Sequence, residues 1–188
     1  KTLHKTPGHF AASPGQTIGE RSFYGNYQRE VVYLADTVIR YSLTGGSERV
    51  ANAYNSAGKL LSTLEQIWMI NKWVNTRITT NTYDANNCLL TQLVQLWQNT
   101  AWINDQMITC TNDASGNCLT KTGQGWDGSG WVNQGHSDYT YDGNGNMLTE
   151  LYREWDGMEW MNSSNDSCTY NENGNCLTYL NLYWDGLE

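Results

Sequence analysis

Phenylalanine is nearly absent from this sequence, with 2 in 188 residues against 9 tryptophans and 12 tyrosines. Proline is as scarce, and both copies, Pro7 and Pro14, come early in the chain. Hydrophobic residues make up only 39%, and Tyr, Trp, Asn, Thr and Gly are abundant. That composition suits strands and turns with wet faces and argues against a thick apolar core. No long hydrophobic run exists either. The longest, Val31-Val32-Tyr33-Leu34-Ala35, is far short of the roughly 20 residues a membrane-spanning helix needs, so no membrane insertion is expected. Positive charge is sparse and scattered, with 11 Lys and Arg against 19 acidic residues and a net charge of -8. Phosphate backbones call for clustered cations, which excludes nucleic acid as an expected partner. The chain starts at Lys1 with neither Met nor a signal core, which fits a mature secreted protein and an expressed fragment equally.

Reactive constellations are missing too. His4, His9 and His136 lie far apart, and no G-x-S-x-G or H-E-x-x-H motif occurs. The acidic residues fall in turns and on strand surfaces, so neither an enzyme nor a cofactor is expected.

What is present is a repeat. The stretch from Tyr141, YDGNGNMLTELYREWDGMEWMN, recurs from Tyr54, Tyr83, Asn112 and Tyr170, each start 29 residues after the last. A Leu stands at the eighth place of every unit (Leu61, Leu90, Leu119, Leu148, Leu177) and a Trp at the fifteenth (Trp68, Trp97, Trp126, Trp155, Trp184). A second Trp follows (Trp73, Trp102, Trp131, Trp160), then an Asn (Asn75, Asn104, Asn133, Asn162).

Two turn signals divide each unit. In Y-D-x-N-G-N the Gly after Asn supplies the positive φ of a tight hairpin or of a type I turn with a bulge. In W-D-G-x-x-W the spacing makes the two Trp cross-strand neighbours beside a two-residue turn. Strands of about ten residues are expected between the turns, so each unit reads as a β-hairpin. The fold class is therefore all-β: tandem hairpins in a continuous antiparallel meander or solenoid-like array. Met147, Thr149, Leu151, Arg153 and Trp155 would share one face and Leu148, Glu150, Tyr152 and Glu154 the other, neither cleanly apolar. Stability must then come from stacking, from closure of the sheet, or from association with other chains. Successive Trp pairs would lie about 10 Å apart, two strands on. They form either a structural ladder or, through Trp73, Trp102, Trp131 and Trp160, a stacking platform for glycans.

The cysteines follow the repeat. Cys110 with Cys118, and Cys168 with Cys176, bracket equivalent turns, at a spacing a disulfide tolerates. Bridges there are expected, each worth roughly 2.5 kcal/mol in the chain-entropy model, and they point to an oxidising, extracellular setting. Reduced thiols are the alternative. Cys88 is left over, either a free thiol or a candidate for an interchain bond. No C-x-x-C or His cluster supports zinc. Calcium is also not expected: Asp142, Asn144 and Asn146 alternate like loop ligands, but Met147 and Arg153 stand where an EF-hand needs Gly and Glu.

Residues 1–24 read as an extended arm, 25–53 as a degenerate β capping unit, and 54–188 as the repeats, the last incomplete. The chain stops at Glu188 inside a hairpin turn. Either this is a fragment, or the edge is completed in trans by another subunit's arm in a head-to-tail homopolymer.

At Y-D-x-N-G-N-x-L-T the sequence resembles the YD-repeat (RHS-like) class, and more closely the long secreted repeat proteins of Bacteroidota that carry type IX secretion sorting domains. The similarity covers Tyr54 to Glu188. It departs in having Asn146 where that class often has Arg, and in adding the Trp-flanked hairpin. The resemblance implies a secreted or cell-surface β-repeat scaffold and brings no catalytic residues. The expected function is an extracellular structural or adhesive repeat protein, a self-assembling filament subunit; the alternatives are a glycan-binding module and, more remotely, a hydrolase whose site forms only on assembly.

Overall fold

The computed structural model describes residues 36–40 and 47–184. The expected N-terminal arm, 1–24, and residues 25–35 and 41–46 of the expected capping unit lie outside the described residues. Among those described there are only strands and turns. The strands are β1 (Thr37–Arg40), β2 (Glu48–Tyr54), β3 (Leu60–Met69), β4 (Lys72–Tyr83), β5 (Leu89–Gln98), β6 (Ala101–Asn112), β7 (Cys118–Trp126), β8 (Trp131–Tyr141), β9 (Met147–Trp155), β10 (Trp160–Tyr170) and β11 (Cys176–Tyr183). Sheet order follows chain order, so the expected all-β antiparallel meander is the fold. The chain divides into two compact units, Lys1–Thr76 and Arg77–Glu188.

In the first unit β1 pairs with β2, from Thr37 opposite Ala51 to Arg40 opposite Glu48, and β2 pairs with β3. Within the expected capping unit, 25–53, the described residues thus include two paired strands. Its mate β2 enters the first Y-D-type turn, where Asn55 replaces Asp: the Asn55 amide donates to the Lys59 carbonyl at 2.9 Å.

In the second unit the register fixes two faces. Thr91 stands opposite Thr109, Leu93 opposite Met107 and Trp97 opposite Trp102. Thr111 faces Thr120, Thr120 faces Asp138, Thr140 faces Thr149 and Thr169 faces Thr178. These side chains share what we term face A. Asn81 with Gln92, Ser137 with Tyr152 and Asp166 with Asn181 share the opposite face B.

Two kinds of register shift recur with the repeat, and the first accounts for its invariant Leu. Beside every Y-D turn one residue is skipped: Tyr141 pairs with Met147 and Thr140 with Thr149, leaving Leu148 in a bulge. The same shift leaves Leu61, Leu90, Leu119 and Leu177 unpaired. The repeated Leu is therefore a bulge residue on the surface, not a core position; Leu177 is 64% exposed. A second shift follows the Trp hairpins of the second unit, skipping Asp105, Gln134 and Ser163. Because the bulges recur with the repeat, every hairpin twists alike and the next starts in the same register.

Burial is minimal. Among the described residues Val94 is the only buried hydrophobic side chain, accompanied by Asn81 and Ser137, and all three lie on face B. Stability comes instead from cross-strand neighbours, each worth roughly 0.2–1 kcal/mol. Threonine hydroxyls meet at 2.6 Å in Thr82–Thr91, Thr140–Thr149 and Thr169–Thr178 and at 2.7 Å in Thr111–Thr120. Glycines in the strands mark close approach. A Cβ on Gly135 would sit 2.7 Å from the Tyr152 hydroxyl, whose ring lies over that position.

The two-residue turns of the Trp hairpins come in two forms. Gly128 and Gly157 take positive φ at the first turn position, as a type II′ turn requires. The earlier repeats use Ile70-Asn71 and Asn99-Thr100, all at positive φ, the pattern of a type I′ turn. A β-branched residue at φ 48° is strained, and Ile70 gains nothing in return, being 90% exposed. Replacing Ile70→Asn is expected to stabilise the protein by about 1 kcal/mol, read from the midpoint of urea unfolding at unchanged slope.

Candidate functional site

The tryptophans sit where the expected two-residue turn puts them. The Asp127 amide donates to the Gly130 carbonyl at 3.2 Å and the Asp156 amide to the Glu159 carbonyl at 3.2 Å. Those bonds close the turns, so the next pair outward is a non-hydrogen-bonded one, where side chains approach most closely. Trp126 and Trp131 meet there edge to face with ring centroids 5.2 Å apart, and Trp155 and Trp160 at 5.1 Å. Trp97–Trp102 repeats the contact at 4.9 Å, as does Trp68–Trp73 in the first unit at 5.2 Å. Each such clasp is worth about 0.5–1.5 kcal/mol beyond its burial.

The four tryptophans expected to stack glycans, Trp73, Trp102, Trp131 and Trp160, are thus each the second ring of a clasp, and they are not equivalent. The Arg49 guanidinium lies over Trp73 at 4.8 Å, and the His136 ring stands 5.4 Å from Trp160. Trp102 and Trp131 carry no such cover and are half-buried. Neighbouring strands also rotate by roughly 20–25°, so rings two strands apart cannot form one flat platform.

The Asn that follows each second Trp has a job that its sequence position alone does not reveal. It accepts a cross-strand hydrogen bond from the residue two before the first Trp: Gln66 to Asn75 at 2.7 Å, Gln95 to Asn104 at 3.0 Å and Gln124 to Asn133 at 2.9 Å. In the fourth hairpin Arg153 Nε donates to Asn162 at 3.2 Å.

That Arg belongs to a polar island on face A. Thr122 Oγ1 lies 2.8 Å from His136 Nδ1, His136 Nε2 lies 3.3 Å from Asp138 Oδ1, and Arg153 Nη1 donates to Asp138 Oδ2 at 2.6 Å. Elsewhere the place of Thr122 holds Leu64, Leu93, Leu151 and Leu180, and that of His136 holds Ile78, Met107 and Asn165. No motif in the sequence groups these residue types; the register assembles a hydroxyl, an imidazole and a carboxylate from β7 and β8. The Arg153 ion pair already engages the carboxylate, and the arrangement lies open on a sheet surface. Its direct capacity is to present hydrogen-bonding groups beside Trp160.

At the opposite end of the hairpins the Y-D turns form a column. Asp142 Oδ1 accepts from the amides of Asn144 and Asn146, both at 2.9 Å, while Gly145 takes φ 82°. Asp113 repeats this with Ser115 and Asn117, and Asp84 with Asn86 and Cys88. The Tyr of the motif is a strap to the previous hairpin: Tyr141 Oη donates to the Cys118 carbonyl and Tyr170 Oη to the Met147 carbonyl, both at 2.9 Å. Where Asn112 replaces Tyr, its amide reaches the Leu89 carbonyl at 3.0 Å instead.

An open groove of about 620 Å³ runs between the third and fourth turns, lined in part by Asp113, Asn117, Leu119, Tyr139 and Asp142. Its carboxylates are occupied by their own turns, which hold them below the usual carboxylate range. For Asp113 and Asp142 the side-chain bonds from Asn117 and Asn146 contribute most, followed by backbone amides. Among the described residues no group of three His, Cys, Asp or Glu is placed to hold a metal ion.

All five cysteines are free thiols, so the bridges expected at Cys110–Cys118 and Cys168–Cys176 are not made here. The register explains the arrangement: Cys110 stands opposite Lys121 and Cys118 opposite Asn112, so the pair is diagonal across the bulge. Cys118 Sγ instead donates to the Thr120 carbonyl at 3.2 Å and Cys176 Sγ to the Thr178 carbonyl at 3.3 Å. The thiols of each pair are still neighbours. Burial pushes Cys110 up to about 11, with the charge and hydrogen bond of Cys118 adding to it. Cys176 is raised in the same way, by burial first and then by Cys168. Cys88 Sγ rests under the next turn, 3.5 Å from the Gly116 carbonyl.

No family model matches this chain, and no curated protein does. Among solved structures it is similar to a protein of unknown function from Bacteroides fragilis NCTC 9343, at 10% identity and a TM-score of 0.54, over 65% of this chain and 93% of that one. Two DUF3836 family proteins also match. That from Bacteroides vulgatus ATCC 8482 has 20% identity and a TM-score of 0.40, over 46% of this chain and 90% of its own. That from Parabacteroides distasonis ATCC 8503 has 17% identity and a TM-score of 0.37, over 48% and 89%. The first of these likenesses supports the fold alone.

Two outcomes follow from the titrating groups. A carboxyl whose folded pKa is depressed stabilises the fold above its unfolded value, about 3.9, and that contribution is lost as pH falls through the folded value. Stability should therefore decline on acidification below about pH 4. The chain supplies its own control, since Asn171 makes the same turn with bonds from the amides of Asn173 and Asn175. The double variant Asp113→Asn/Asp142→Asn should keep the turns and flatten the acid limb of a urea-unfolding series. For Cys110, where the thiolate is the reactive form, alkylation followed by mass spectrometry should be slow at neutral pH and climb steeply towards pH 11.

Proposed function

We propose that this protein is an extracellular structural or adhesive repeat protein, a secreted scaffold of the YD-repeat kind whose copies associate head to tail. The observation that carries this reading is the way the fold is stabilised. A chain with one buried apolar side chain among its described residues holds itself together by Trp clasps in four successive hairpins and by straps from Asn112, Tyr141 and Tyr170 to the preceding hairpin. Such a fold can be lengthened unit by unit and offers surface in proportion, as a scaffold requires.

Edge pairing is the proposed mode of self-assembly. Strand β11 exposes Leu177, Tyr179, Leu180, Leu182 and Tyr183 and among the described residues pairs only with β10. Exposed apolar edge strands recruit further strands. In an oxidising compartment the neighbouring thiols Cys110 and Cys118, and Cys168 and Cys176, would close as bridges that lock the outer hairpin ends. A second reading, glycan binding, is favoured by one observation: the island of Thr122, His136, Asp138 and Arg153 sets planar hydrogen-bonding groups beside the Trp160 ring.

Electron microscopy of the purified protein at high concentration is expected to reveal end-to-end filaments. A field of single particles would sink the edge-pairing mode. Tryptophan fluorescence titrated with a broad oligosaccharide panel separates the second reading, which requires quenching that is lost in Trp160→Val.

A further inference from the structure

We infer that face A of the second unit is a sheet-on-sheet interface whose occupant is face A of a second copy of this chain. This goes beyond edge pairing and does not depend on it.

Charge is the first ground. Along the strands from Arg77 to Trp184 the paired register, bulge residues aside, places Arg77, Lys121, Glu150, Glu154 and Asp166 on face B. Face A receives only Asp138 and Arg153, and these neutralise each other at 2.6 Å. A chain of net charge -8 thus keeps one whole sheet face without net charge. Two copies can approach through that face without bringing like charges together, which is the commonest obstacle to self-association of an acidic protein.

Self-complementarity is the second. Apart from its Trp, Leu, Ile and Met side chains and the group of His136, Asp138 and Arg153, face A is built from groups that both donate and accept. They are the threonine pairs and the Gln–Asn pairs. Hydroxyls and amides can satisfy copies of themselves across a two-fold axis, as an isologous interface demands. Face B has carboxylates that only accept and cations that only donate, so copies of one group cannot satisfy each other across the axis.

Burial is the third. Among the described residues the three that are buried, Asn81, Val94 and Ser137, lie on face B, which covers itself with long neighbours: Gln92 bonds Asn81 at 3.1 Å and Glu150 accepts from Ser137 at 3.0 Å. The apolar side chains of face A, Leu93, Met107 and Leu151 among them, are only half-buried, and a one-layer sheet ordinarily needs a second layer on an apolar face. The area suffices. Strands β5–β11 at about 4.8 Å spacing and roughly ten residues each give a footprint of about 1,100 Å². Two such faces meet the roughly 1,200–2,000 Å² of total burial typical of stable complexes. Twisted sheets accommodate this by packing at about 30° with interdigitating side chains.

Sedimentation velocity over a concentration series tests the inference. The unmodified chain is expected to form a dimer. The face A variant Thr120→Lys/Thr149→Lys should shift dimer dissociation at least tenfold, while Val132→Lys on face B leaves it unchanged; circular dichroism checks that all three keep their sheet. A monomer at every concentration would overturn the inference. So would a dimer indifferent to face A lysines but broken by Val132→Lys. Open-ended growth that persists in the face A variant would assign self-association to the β11 edge alone. Loss of binding to an insoluble polysaccharide with no change in sedimentation would assign face A to glycans.

Discussion

A sheet without a second layer must be held together strand by strand, and the edge-to-face contact of two tryptophans is the strongest local means this chain has. Everything else in the repeat serves that contact. The two-residue turn fixes the pair as non-hydrogen-bonded, so that the rings can meet. The Gln–Asn bond one step farther out keeps the strands from splaying. The bulge after it restores the twist that lets the next hairpin begin. At the far end the Asp-bonded turn and the Tyr strap perform the complementary task of tying each hairpin to the last. Stability is thus spread evenly along the chain and is not concentrated in a nucleus.

Much of this was legible because the repeat itself compares five versions of one hairpin. The period, the strand lengths, the turn types and the facing tryptophans all follow from spacing, since Asn-Gly and a four-residue gap between two Trp leave little choice of local geometry. What spacing could not convey was register beyond the turn. The bulges at Leu148 and Ser163 shift which residues oppose each other. Nothing in the spacing marked the invariant Leu as the surface bulge it is, and the Asn after each second Trp had no visible partner. The island of Thr122, His136, Asp138 and Arg153 escaped for the same reason, being drawn from three strands whose alignment only the ladder defines. Cysteine pairing was legible as proximity, while the bond itself depends on redox conditions that no spacing encodes.

The repeats are equal in backbone and unequal in side chains. Leu gives way to Thr at position 122, Gln to Arg at 153, and Gly to Asn87 in a turn that still requires positive φ. Asn is the residue best able to take that conformation without glycine, so the substitution preserves the turn. The change at 122 does something different, since it removes apolar surface where every sister repeat has kept it. Departures from a repeat that the fold does not demand are the natural places to look for individuality of binding.

A meander that is clasped hairpin by hairpin also has a mechanical character. Tension transmitted along such a chain acts across its strands, so hydrogen bonds break in succession, as in a zipper, instead of together in shear. Each hairpin that opens would release on the order of 100 Å of contour, and the clasp of the next, undisturbed, would resist in turn. An attachment built this way yields in equal steps under load and re-forms from local contacts when the load is removed, with no distant core to reassemble.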